Sequence, residues 1–175
     1  MTSNAQTPSP EDTPRFICDQ HLGKLARLLR IMGFDTAYGS DWLEPEMARR
    51  AVNENRIVLS RNRQLLQRKA IKHALLISSD RVDEQAREVI QRFDLAAQVR
   101  PFGRCTRCNG LVEPVAKEQI LDLIPPRTRR WLDTYTRCTC CGHIYWEGTH
   151  VTALLKRLTA IQAGRTGSQD PELGP

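Results

Sequence analysis

From Phe16 onward, apolar residues follow two alternating rhythms: compact β-branched or aromatic runs, and longer stretches where they return every third or fourth position. Phe16-Ile17-Cys18 reads as a short buried strand that ends at Asp19. The following HLGKLARLLRIMG places Leu22, Leu25, Leu28, Leu29 and Met32 on one helical face, with Gly33 as the stop. A second short strand is predicted over 34–38. Glu44-Pro45-Glu46 opens a helix that continues through MARRAVNEN, with proline in the first turn, where a missing N–H costs nothing. Residues 56–60 form the next strand and run into a basic helix, RNRQLLQRKAI. Residues 73–78 form another, followed by a helix over VDEQAREVIQRFDL. Strand and helix alternating in this way predict an α/β fold with an open, mostly parallel sheet flanked by helices. Sheets of this type bind ligands at the carboxyl ends of their strands.

The same pass divides the chain. A polar, proline-rich leader over 1–14 and a polar tail over 161–175 are expected to be disordered, with an α/β domain over 15–100 and a cysteine module with a C-terminal helix over 101–160 between them. No apolar run has the length to cross a bilayer and none resembles a signal peptide, which points to the cytoplasm. The net charge of +6 is spread over both halves. Two local clusters are more telling: Arg61, Arg63, Arg68, Lys69 and Lys72, and then Arg127, Arg129 and Arg130. Such clusters are either solvated helix faces or footprints for a phosphate backbone.

Cys105-x-x-Cys108 and Cys138-x-x-Cys141 supply two knuckles, each able to turn two thiolates toward one point. In a reducing compartment this spacing favours a closed four-thiolate zinc site, which leaves no open position for substrate and so holds structure. Cys18 reads as a small buried hydrophobe, and Cys140 as a geometrically poorer substitute ligand beside Cys141. His143 and His150 read as packing or hydrogen-bonding residues. Trp131, Tyr135, Tyr145 and Trp146 lie among Arg127, Arg129, Arg130 and Arg137. They form either a stacking platform for single-stranded RNA or the small core of the module. Pro125-Pro126 should break any helix through EQILDLI and leave residues 127–130 as an exposed basic corner.

Acidic and amide groups fall at the ends of the predicted strands. Asp19 follows the first, Asn62 the third and Asp80 the fourth, while Glu44 and Glu46 open the intervening helix. Two readings of this pattern stand open. Oxygen ligands from separate elements suit magnesium or manganese, which would activate water against a phosphodiester, with Arg27, Arg61 and Arg63 on the phosphates. Alternatively Asp19 and Asp80 cap the helices that follow them, and Glu44 favours a helix start by its charge.

The segments FICDQHLGKLARLLRIMGFDT, RIVLSRNRQLL, EQAREVIQRF, RCTRCNGLVEP and CGHIYWEGTH together resemble the mut-7-type C-terminal RNase domain family, from Phe16 to Leu158. The resemblance implies a PIN-like nuclease fold with a C-terminal zinc ribbon, and a metal-dependent ribonuclease activity. Asp19 matches the family's first acid, and Glu44 or Glu46 its second. The family's frequent T-R-D stands here as Ser60-Arg61-Asn62, an amide where a charged ligand is usual. The expected function is therefore hydrolysis of RNA, with magnesium or manganese on Asp19, Glu44 or Glu46, and Asp80. Asn62 would assist and Arg61 would steady the phosphate. Structural zinc would sit on Cys105, Cys108, Cys138 and Cys141, and Arg27, Arg63, Arg127, Arg129, Arg130 and Trp146 would meet the RNA. The alternatives are a non-catalytic RNA-binding adapter, which Asn62 favours, and a protein-interaction module of a larger complex.

Overall fold

The computed structural model describes residues 13–148 and 151–164, so most of the expected leader, His150 and the end of the tail lie outside the described residues. Strands β1 (Phe16–Cys18), β2 (Thr36–Ala37), β3 (Ile57–Ser60) and β4 (Ala74–Leu76) form one parallel sheet in the order β2-β1-β3-β4. Helices α1 (Gly23–Ile31), α2 (Glu44–Asn53), α3 (Arg63–Leu66) and α4 (Val82–Arg92) follow the four strands in turn. The strand period sorts the core into two layers. Phe16, Cys18 and Leu59 point into the larger one with α1 and α4, and Ile17 and Val58 point into the smaller one with Met47, Ala51 and Leu65. Both faces are thus covered, as a parallel sheet requires.

The helical stripe read from the sequence is the spine of this core: Leu22, Leu25, Leu28, Leu29 and Met32 are all buried. Gly33 ends α1 at φ 96°, and a Cβ there would lie 2.3 Å from the carbonyl oxygen of Arg100. Only glycine meets both conditions. That close approach is made by the linker, where Arg100 N and Phe102 N donate to the carbonyls of Met32 and Ile31 at 2.9 and 2.8 Å.

Two local expectations are corrected. The basic segment after β3 is helical only over Arg63–Leu66. The positions one turn beyond Leu65 are Arg68 and Lys69, so no apolar group holds a second turn against the sheet. The prolines end the run through EQILDLI as expected, but the basic stretch beyond them is a helix and not an open turn. EQILDLI forms a 3-10 run, Lys117–Leu123, and Pro126 opens helix α5 (Pro126–Trp131), using its fixed φ where a helix starts. Arg129 and Arg130 therefore sit on a helix, and the Arg127 side chain lies outside what is described.

Strands β5 (Val112–Val115), β6 (Tyr135–Cys138) and β7 (Ile144–Trp146) make a separate antiparallel sheet over a small core of Ile120, Ile124 and Tyr135. The last helix, α6 (Val151–Gln162), follows this sheet in the chain but packs elsewhere: Leu158 and Ile161 enter the larger core, and Arg157 bridges Asp83 at 2.6 Å. The cysteine module is keyed onto the edge strand β2. Arg30 of α1, only 5% exposed, donates through Nε to Thr36 O (2.8 Å) and through Nη1 to the carbonyls of Thr106 and Arg107 (3.1 and 3.2 Å). Asn109 returns the contact, accepting from Thr36 N at 2.9 Å and donating to Asp35 at 2.8 Å. Among the described residues, no helix is long and apolar enough to cross a membrane.

Candidate active-site crevice and metal centre

From β1 the chain crosses to β2 on one side and then to β3 on the other, so the strand order switches between β1 and β3. A crevice opens at the carboxyl ends of such a pair. Asp19 and Ser60 stand there opposite each other, because β1 and β3 pair Cys18 with Leu59. The Asp19 carboxylate is 6% exposed and its oxygens are well supplied with donors. Oδ1 accepts from His21 N at 2.8 Å, and Oδ2 accepts from the Ser60 hydroxyl in a short bond and from Arg61 N at 3.2 Å. Asp19 thus caps the 3-10 turn Gln20–Leu22 and also clamps the ends of two strands. Ser60 was not singled out from the sequence. Its signal was present in the strand register, which puts it beside the acid.

The chain of contacts runs on. Asn62 N donates to Ser60 Oγ at 2.9 Å, and Asn62 Oδ1 accepts from Gln64 N and Leu65 N at 3.0 and 3.4 Å, capping α3. Its Nδ2 donates to Glu44 Oε1 at 3.0 Å, and Arg68 Nη2 donates to Glu44 Oε2 at 2.7 Å. Asp19, Ser60, Asn62, Glu44 and Arg68 therefore form one hydrogen-bonded series across β1, β3, α2 and α3. Glu46 turns instead to Arg50, one helical turn on, at 2.9 Å. Arg61 and Arg63 are exposed beside the crevice, whereas Arg27 is half-buried on α1.

Asp80 is exposed and does not cap α4. No side chain caps that helix; Ser79, ahead of its start, accepts through Oγ from Arg81 N at 3.1 Å and donates its hydroxyl to Glu84 at 2.6 Å, which fixes the turn leading into it. Glu88 pins the same loop by accepting from Ser78 N and Ser79 N at 2.8 and 2.9 Å.

A divalent ion is implied at this crevice by the resemblance, and the residues as they stand do not fit one. Glu44 faces an amide N–H and a guanidinium, both donors, where a cation needs acceptors. Glu46 is engaged with Arg50. Among the described residues, the group of three or more Asp, Glu, His or Cys ligand atoms that comes together is the four cysteines.

Cys105, Cys108, Cys138 and Cys141 do fit a metal. Their sulfurs all lie within 4.8 Å of one another, with Cys105–Cys141 at 3.7 Å and Cys108–Cys138 at 3.4 Å. A zinc tetrahedron with bonds of about 2.3 Å has edges of about 3.8 Å. Each knuckle ends on a residue in the left-handed region, Asn109 (φ 70°) and Gly142 (φ 71°). Gly110 has no room for a side chain: a Cβ there would lie 2.7 Å from Cys140 Cβ and 3.0 Å from Cys138 Sγ. Burial acts to raise the Cys105 thiol, but the Tyr145 hydroxyl at 3.0 Å and backbone donors in the knuckle outweigh it and pull it down to about 6. Cys108 moves the opposite way, pushed up by burial and by hydrogen bonds to the neighbouring thiols. Four sulfurs packed this closely suit a cation that would draw them into the thiolate form.

The other side chains singled out from the sequence sort by burial. His143 packs edge-on against Tyr145, and burial with the Arg107 charge holds its imidazole below the usual range, a packing residue as expected. Cys18 is a buried hydrophobe whose thiol is pushed up by burial. Cys140 is exposed and outside the group of four. Tyr135 is core, while Trp146 is 40% and Trp131 is 83% exposed. The family model described as "Mut7-C RNAse domain" matches residues 14–158, most of the chain. No curated protein and no solved structure matches it.

Proposed function

The chain belongs to the Mut7-C RNAse domain family, and from that membership we propose that it acts on RNA as a ribonuclease whose working site is the Asp19 crevice. The observation that carries the reading is a buried carboxylate at the switch point of a parallel sheet, bonded to the backbone of Arg61, whose own side chain is exposed. Asp19 fixes the Ser60–Asn62 turn, and that turn presents Arg61 and Arg63 to backbone phosphates. Trp131, exposed at the end of α5 beside exposed Arg130, offers a face on which a base stacks. Zinc on the four cysteines would hold the knuckles together and supply folding energy, with no open position for catalysis. A reducing, cytoplasmic setting suits thiols used as metal ligands. The expected dependence on magnesium or manganese has no ligand set in the residues as they are bonded, so no chemical step is placed on it.

The test is cleavage of labelled single-stranded RNA by the zinc-loaded chain, beside Asp19→Asn. Cutting by the wild type that falls on the order of a hundredfold in the variant supports the reading. A second reading, an RNA-binding adapter, is favoured by the Asn62–Glu44 hydrogen bond, which sets a donor against Glu44 Oε1 where a metal would need a free oxygen. Salt-sensitive RNA binding with equal background cutting in both proteins selects the adapter. Absence of RNA binding removes both and leaves a protein-interaction module.

A further inference from the structure

We infer that Asn62 and Arg68 stand in for a cation at Glu44, closing the crevice to divalent ions, and that the single change Asn62→Asp opens it to manganese. The inference rests on the reading of this crevice as the working site. It begins with the orientation of one amide. Asn62 Oδ1 is committed to the first-turn N–H groups of α3, Gln64 N and Leu65 N, so Nδ2 must face away from the helix. There it meets Glu44 Oε1 at 3.0 Å. The second oxygen of Glu44 takes Arg68 at 2.7 Å, which supplies a full positive charge. Glu44 is thereby neutralised and hydrogen-bonded on both sides from within the protein. An incoming divalent ion would have to displace an N–H donor and sit against a guanidinium.

The same geometry shows why one atom decides the matter. Aspartate caps a helix as well as asparagine, so Asn62→Asp keeps the bonds to Gln64 N and Leu65 N. Its other oxygen then faces Glu44 across the 3.0 Å now spanned by the amide hydrogen bond. Two carboxylates at that separation do not both stay ionised without a cation between them. Asp19 is one link away, through Ser60 Oγ, which bonds both the Asp19 carboxylate and Asn62 N. Magnesium and manganese need only one or two such carboxylates and keep water in their remaining positions. Arg68 is on this account a positioning residue, acting through Glu44.

The experiment is a manganese titration of the full, zinc-saturated chain without RNA, with free manganese read by electron paramagnetic resonance. The wild type should leave the ion free, and Glu44→Gln should change nothing. Asn62→Asp should bind manganese at least about tenfold more tightly, and the double variant with Glu44→Gln should return to wild-type behaviour. Wild-type uptake that Glu44→Gln abolishes overturns the inference, and this arm does not depend on how the Asn62 variant folds. So does an Asn62→Asp protein with wild-type circular dichroism and melting that takes up no more ion than the wild type. Because no RNA is present, a chain that neither binds nor cuts RNA sinks the functional reading while leaving this result intact.

Discussion

Cys141→Ser, or removal of metal by a chelator, is expected to unfold residues 104–146 while the α/β layer stays folded. The buried apolar groups of this segment are Ile120, Ile124 and Tyr135, with the half-buried Val115, Leu132 and Ile144 around them. So small a core does not fold by itself. A structural zinc site contributes roughly 10–16 kcal/mol of apparent binding energy in zinc-finger peptides, far more than such a core supplies. The knuckle is also the part of the module that meets α1 and β2, since Arg30 donates to Thr106 O and Arg107 O and Asn109 bonds Thr36 and Asp35. Losing the knuckle therefore undocks the whole cysteine module. The α/β layer keeps its own core, including Leu158 and Ile161 of α6. Heteronuclear NMR should show collapsed resonances across 104–146 with the rest dispersed, and metal analysis should show stoichiometric zinc lost. Uniform unfolding of the chain, or no change, would show that the cysteines do not work in this way.

The second large effect is expected at Asp35→Ala. Asp35 sits between β1's neighbour strand and the knuckle, accepting from Arg56 and from Asn109 Nδ2, with Arg104 at 3.4 Å. Its side chain is 18% exposed and that of Arg56 is 8% exposed. Breaking a fully buried pair costs about 3–5 kcal/mol, and partial exposure of Asp35 brings the expectation to about 2–3 kcal/mol. For a chain of this size that is a fall in Tm of roughly 5–10 °C. The pH dependence has a definite sign. Burial acts to raise the Asp35 carboxyl, but hydrogen bonds from Arg56 and Asn109 and the nearby guanidinium charges outweigh it and hold it below the usual range. A depressed carboxyl contributes stability above its unfolded value of about 3.9, and loses it as pH falls through the folded value. Denaturant midpoints of wild type and variant should therefore differ at neutral pH and converge below about pH 4. A constant gap across that range would contradict the assignment.

What was legible in the sequence is what depends on local period and spacing. The α1 stripe from Leu22 to Met32, the stop at Gly33 and the two cysteine knuckles all follow from neighbours a few residues apart, and each stands where its pattern placed it. What was not legible depends on register and on long-range contact. Ser60 is unremarkable until β1 and β3 are aligned, when it falls against Asp19. Nothing local marks Arg30, yet it is buried because the knuckle, some seventy residues later, brings carbonyls to satisfy it. Asn62 looked like a weakened ligand. Its amide in fact has two other tasks, capping α3 and holding Glu44, and neither shows before α2 and α3 are in place. The helix after β3 was read too long because its basic residues carry good helix propensity, while packing supports only one turn.

The central claim is that RNA is engaged at the Asp19 crevice, and amide hydrogen exchange of the zinc-loaded chain with and without a single-stranded oligoribonucleotide tests it most directly. The account predicts slowed exchange over residues 19–23 and 60–66, with a second protected segment at α5 around Trp131. Protection confined to surfaces away from those residues, or none at an RNA concentration that saturates binding, would contradict it.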